Sequence, residues 1–153
     1  MATASVSSVP VKQDIFTFRI IKLILEYGSI VYRTCLERRA KCKKEGTLHK
    51  HLIKKKSVIQ CLQSKAITQK QFEQIFPQGQ AVTTANGFDI TLLAFLIRNT
   101  CPCEHQHDAD EKKKWSQNNI EDLLVNDLSE TADLIRIRIF RNQVLFRSTF
   151  LNT

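Results

Sequence analysis

Four candidate soft-metal ligands crowd into seven residues, as Cys101-Pro102-Cys103-Glu104-His105-Gln106-His107. Thiolate and imidazole are the ligands of zinc, and of copper or nickel. Zinc sites, however, draw ligand pairs from two separated segments, because one short loop does not wrap a tetrahedron. The spacing of Cys101 and Cys103 suits neither a zinc knuckle nor a redox CxxC pair. Cys101, Cys103, His105 and His107 are therefore expected to form a polar surface loop with no stoichiometric metal, and no cofactor is expected. His49 and His51 have no carboxylate or cysteine beside them in the sequence and read as a solvated helix start.

Arginines offer a second chemistry, anion binding, in the segment from Arg136 to Arg147. Arg136 and Arg138 diverge by about 200° on a helix, whereas Arg138 and Arg141, three apart, share a face. That pair can hold a phosphate or carboxylate jointly. It can equally tie helices together through buried ion pairs, with Asp89, Asp127 or Asp133 as partners. A further positive stretch runs from Arg38 to Lys56, with nine basic residues against Glu45 alone, which matches the net charge of +8 of the whole chain. Arg38, Arg39, Lys54, Lys55 and Lys56 are its candidate phosphate ligands, of RNA, DNA or a membrane surface. A solvated loop and helix face is the competing reading. Glycine-rich phosphate loops, HExxH and GxSxG motifs are all absent.

The elements that must position these residues read as helices. The chain has 153 residues, 42% hydrophobic, with 4 glycines and 3 prolines, a composition that fits one globular domain poor in turns. Residues 1–12 read as a disordered arm and 13–150 as a single domain. From Gln13 to Cys42 the pattern is helical, with Ile20, Ile24, Tyr27, Val31 and Cys35 on one expected core stripe. Thr47 caps a short second helix, and Ser57 starts another short piece. Thr68 and Gln71 form a capping box ahead of Phe72, Ile75 and Phe76. Phe88 to Ile97 is apolar on all sides and predicts a central buried helix. Residues 99–118 read as polar and irregular, and Ile120 to Leu128 as a short helix. In the last element Ile135, Ile137 and Ile139 alternate in strand fashion, yet Asp127 with Glu130 marks a helix start, and Ala132, Ile135, Ile139 and Phe146 form a helical stripe. Five cysteines make an unpaired set, and neither a secretory signal nor an 18-residue apolar run is present, so an intracellular, cytoplasmic protein without a membrane span is expected.

Two segments carry a family resemblance. Phe88-Asp89-Ile90-Thr91-Leu92-Leu93, continuing through Leu96-Ile97-Arg98-Asn99-Thr100-Cys101, and Asp133-Leu134-Ile135-Arg136-Ile137-Arg138-Ile139-Phe140-Arg141-Asn142 together resemble the HEPN domain of the DAZ-interacting zinc-finger type of RNA-binding ubiquitin ligases. Phe72 to Pro77 is similar as well, and the resemblance runs from about Ile20 to Phe146. It implies an all-α helical bundle with a central buried helix and a long C-terminal helix, often dimeric. Catalytic members are metal-independent RNases in which an arginine steadies phosphate charge and a histidine four to six residues on moves the proton. Carried over, Arg141 matches the arginine and Asn142 the polar residue after it, while Phe146 and Arg147 take the places of a glycine and the histidine. Arginine stays protonated near neutral pH and cannot serve as general base. Arg98 and His105 repeat the arginine-histidine spacing, but Pro102 between them breaks any common helix. Trp115 resembles a tryptophan of the family's loop after Arg98-Asn99, which here is otherwise charged and cysteine-rich.

The expectation is therefore a non-catalytic HEPN-like module, a pseudo-nuclease that binds RNA or a protein partner in an innate-immune or ubiquitin-ligase-type setting and self-associates. The alternatives are a metal-independent endoribonuclease that takes its histidine from elsewhere, and a protein–protein adaptor without nucleic-acid contact.

Overall fold

The computed structural model describes residues 10–43, 45–101, 108–123 and 126–150, and within them the protein is all-α. Six helices follow in order: α1 (Pro10–Cys42), α2 (Leu48–Ala66), α3 (Gln69–Ile75), α4 (Ile90–Thr100), α5 (Asp108–Trp115) and α6 (Glu130–Phe150). No described helix is long and apolar enough to cross a membrane.

α4 is the centre of the bundle, as its sequence requires. Asp89 caps it by accepting from the Leu92 amide at 2.8 Å, and Leu92 through Ile97 are all buried. A helix that is apolar all round is stable only inside others, and α1, α2 and α6 pack around this one. Thr47 caps α2 through the Lys50 amide, and Thr68 with Gln71 forms the expected capping box of α3. Pro77 and Gly79 end α3 in a 3₁₀ turn, with Gly79 at φ 80°.

Several expectations are corrected. α1 begins at Pro10, inside the expected arm, where a proline fits the first helical turn. Its core stripe is Tyr32, Cys35, Leu36 and Ala40, while Ile20, Tyr27 and Val31 stand out from the bundle. α2 is one continuous helix of 19 residues that spans both expected pieces, with Leu48, His51 and Leu52 of the first and Ile59 of the second buried on it. α5 forms where an irregular segment was expected, and residues 120–122 make only a 3₁₀ turn instead of a helix. On α6, Ile135 and Ile139 are buried as expected, but Phe146 is 67% exposed.

The strand-like alternation on α6 has a helical cause. Ile135 and Ile139 face the core, and Ile137 meets α1 at Gly28. A β-carbon added at Gly28 would lie 3.0 Å from Ile137 Cγ2 and 3.3 Å from Ile90 Cδ1. The glycine thus permits the close crossing of α1 with α4 and α6. Gly28→Val is expected to cost about 1–3 kcal/mol by overpacking, read as a lowered urea midpoint. An unchanged midpoint would mean that the crossing is loose.

Candidate nucleic-acid interface

α4 and α6 each carry an Arg-Asn pair, and both pairs line one cleft. Arg98 and Asn99 on α4, with Arg138, Arg141 and Asn142 on α6, line one cleft of about 370 Å³. Thr91, Ala94 and Phe95 form its α4 wall, Leu62 and Ala66 its α2 wall, and Trp115 closes the α5 side. Among the described residues, the lining contains three guanidinium groups and no carboxylate.

Each arginine is held differently. Arg138 donates to the main-chain oxygens of Trp115, at 3.2 Å, and of Gln117, and its guanidinium lies 5.8 Å from the centre of the Trp115 ring. It caps the C-terminal end of α5, where carbonyls carry partial negative charge. Burial, with the positive charge of Arg98 beside it, lowers its pKa. Arg141 donates to Thr91 Oγ1 at 3.0 Å and to Asn142 Oδ1 at 3.3 Å. Arg98 is exposed at the rim. The carboxylates offered by sequence as partners are used elsewhere: Asp133 pairs with Arg136 at 2.7 Å, Asp127 with Lys114 at 2.7 Å, and Asp89 caps α4. The ion-pair reading of Arg138 and Arg141 therefore fails for the described residues. Five donors on each guanidinium, only partly used by neutral acceptors, leave N–H groups for an anion. Arg147 belongs to the last turn of α6, and its side chain lies outside the described residues.

The other positive stretch divides on folding. Arg39, expected on the surface, is 8% exposed and binds inward. Its Nε donates to Glu130 at 2.9 Å, Nη1 to Glu111 at 3.2 Å and to the Cys101 oxygen at 2.9 Å, and Nη2 to Thr131 at 3.1 Å. Arg38 pairs with the other Glu130 oxygen. Two expected phosphate ligands thus serve to join α1 to α4, α5 and α6. Lys54 pairs with Glu45, whose carboxyl it holds down at about 2, and Lys56 donates to the Gly79 oxygen at 2.9 Å and stands over Phe76. Lys55 is half-buried on the same helix.

The histidines are not a solvated helix start. His51 is 1% exposed, with Nε2 3.1 Å from Cys101 Sγ and Nδ1 3.7 Å from a Glu45 oxygen. A thiol, an imidazole and a carboxylate in this order resemble a nucleophile, base and orienting acid. Cys101 is fully buried, however, and burial raises its pKa, so the group stays a thiol with no route for substrate. The pair instead ties α2 to the end of α4. His49 Nδ1 lies 2.7 Å from the Ala81 oxygen. Among the described residues no group of three His, Cys, Asp or Glu could hold a metal, and Cys103, His105 and His107 lie outside them.

Desolvation lowers the His51 pKa in the fold, so protonation favours the unfolded chain. This contribution to stability is fully present above the unfolded value of about 6.5 and is lost as pH falls through that value towards the depressed one. The urea midpoint is expected to fall between pH 7.5 and pH 5, and His51→Gln should remove part of that slope. A midpoint that rises on acidification would contradict the burial of a neutral imidazole.

Sequence reasoning did not single out Arg98 and Asn99 as site residues. The signal was the repeated Arg-Asn pair at the ends of two apolar helical stripes, which only the packing of α4 on α6 converts into one cleft.

The family model described as DZIP3/hRUL138-like HEPN matches residues 45–150, a range that takes in α2 through α6 and the whole cleft. No curated protein and no solved structure gives a significant match.

Proposed function

Because the chain belongs to the DZIP3/hRUL138-like HEPN family, we propose that it is a binding module that holds single-stranded RNA by its phosphates in the α4–α6 cleft and does not cut it. One observation carries this reading: Arg98, Arg138 and Arg141 converge on a cleft whose described lining has two asparagines and no carboxylate. Guanidinium groups match phosphate oxygens bidentately, and desolvated walls such as Phe95 and Trp115 strengthen the attraction. The roles divide by position. Arg138 is committed to the end of α5 and fixes the cleft wall, while Arg141 and Arg98 offer the donors.

The absence of cleavage follows from proton chemistry. Attack by a 2′-hydroxyl needs a group that takes up a proton near pH 7, and none of the described lining residues does. Arg147 stands at the position that the family resemblance gives to the histidine, and His49 and His51 have partners elsewhere.

The test is titration of a fluorescent single-stranded RNA into the purified chain in EDTA, with the RNA recovered afterwards on a gel. Arg141→Ala is expected to weaken binding about tenfold or more, as loss of a charge-assisted contact does, and Lys54, Lys55 and Lys56 changed together to Ala to weaken it less. Binding insensitive to Arg141, or shortened RNA that depends on Arg141, would defeat the reading.

A further inference from the structure

The α4–α6 cleft is small, and its two parts differ in chemistry. Its volume of about 370 Å³ sits near the lower limit of small-molecule sites. Grooves that track a nucleic-acid strand span about four nucleotides or more. Leu62, Ala66, Ala94 and Phe95 give the cleft an apolar part, and Arg98, Arg138 and Arg141 a cationic one. Its walls come from α2, α4, α5 and α6. A strand running through such a space has to enter and leave it, whereas a chain end only enters.

The charge balance points the same way. An internal phosphodiester brings one negative charge. A phosphate monoester brings about −1.5 to −2 at pH 7, with three acceptor oxygens. Three guanidinium groups stand against it, with no carboxylate among the described lining residues. Arg141 spends its hydrogen bonds only on Thr91 and Asn142, and Arg138 adds its charge from the wall. Trp115, which closes the α5 side, keeps a buried Nε1–H without an acceptor among the described residues. Buried donors are almost always paired, so an unpaired one in this wall is a place for a ligand oxygen.

We propose that the cleft selects a nucleotide carrying a phosphate monoester, as at the phosphorylated end of an RNA chain, over an internal phosphodiester. The inference rests on the reading of this cleft as a phosphate site and adds which phosphate it takes. The base of the terminal nucleotide lies against the apolar part, and the monoester meets Arg98 and Arg141. A free nucleoside monophosphate offers the same chemistry, so the two sources are compared directly.

Calorimetry of the full chain tests this with single-stranded RNA of one sequence, ended in hydroxyls, in a 5′-phosphate or in a 3′-phosphate, and with a nucleoside monophosphate. One phosphorylated form is expected to bind at least about tenfold tighter than the hydroxyl-ended RNA, as an added charge-assisted contact gives. That preference should widen from pH 5.5 to pH 7.5. The monoester gains its second charge near pH 6, while the charged groups of the described lining, Arg98 on α4 with Arg138 and Arg141 on α6, stay protonated. Arg98→Ala with Arg141→Ala should abolish the preference. A monophosphate that matches the phosphorylated RNA makes the free nucleotide a sufficient ligand, and a weaker one makes the RNA end the ligand; either supports a monoester site. Equal binding of all three RNAs, weakened by the double variant, would overturn the inference and leave the cleft an RNA site. A preference that survives the double variant would place the monoester elsewhere and overturn it too. Equal binding that the double variant leaves untouched would defeat the reading of the cleft itself.

Discussion

Arg39→Ala is expected to destabilise the protein by about 3–5 kcal/mol, the cost of removing one member of a buried ion pair. Its guanidinium meets Glu111, which is 3% exposed, together with Glu130, Thr131 and the carbonyl that ends α4. Four helices therefore converge on one side chain, and its loss takes the guanidinium away from a carboxylate inside the fold. Against a total stability of typically 5–15 kcal/mol, that is enough to unfold a large part of the population in mild urea. The pair need not be a net source of stability. Arg39→Met combined with Glu111→Leu should recover most of the loss, because two apolar groups carry no buried charge. A single-variant loss below about 1 kcal/mol in urea unfolding would mean that water reaches the network.

Arg98→Ala together with Arg141→Ala is expected to weaken single-stranded RNA binding at low salt by at least about 100-fold, since each lost charge-assisted contact contributes roughly 1.5–3 kcal/mol. The fold should hardly notice. Neither arginine pairs with a carboxylate among the described residues, and Arg141 gives up only neutral contacts with Thr91 and Asn142. A thermal midpoint within a few degrees of the parent then separates lost binding from lost structure. Arg138→Ala would not make that separation, because it also releases the end of α5.

How much of this was legible depended on whether the signal was local. The Thr68–Gln71 capping box and the apolar run of α4 are satisfied within their own segments, so the sequence showed both. α5 was not legible. Its buried residues are Glu111 and Trp115, one turn apart, and a charged residue facing inward reads as solvent-facing until Arg39 is found opposite it. Arg39 was misplaced for the same reason, standing in a run of cations that composition alone assigns to the surface. The α1 stripe differs because the side of a long helix that meets the bundle is chosen by its partners: Gly28 marks the contact, Tyr32 and Leu36 turn inward, and Ile20, Tyr27 and Val31 point outward. His51 and Cys101, 50 residues apart, and the two Arg-Asn pairs come together only through tertiary packing. That Arg138 and Arg141 share one helical face was visible from their spacing; the ion-pair alternative is decided by where Asp89, Asp127 and Asp133 find partners.

The most direct test is the salt dependence of single-stranded RNA affinity, measured on one preparation with the RNA examined for breakage at every point. Each phosphate contact contributes about −0.7 to the slope of log affinity against log salt. The parent chain should give a clear negative slope and return its RNA intact in EDTA. Arg98→Ala with Arg141→Ala should flatten that slope by about 1.4, corresponding to two lost contacts. An unaltered slope would place the phosphates away from the α4–α6 cleft, and RNA cut by the parent chain but not by the double variant would make the cleft a nuclease site.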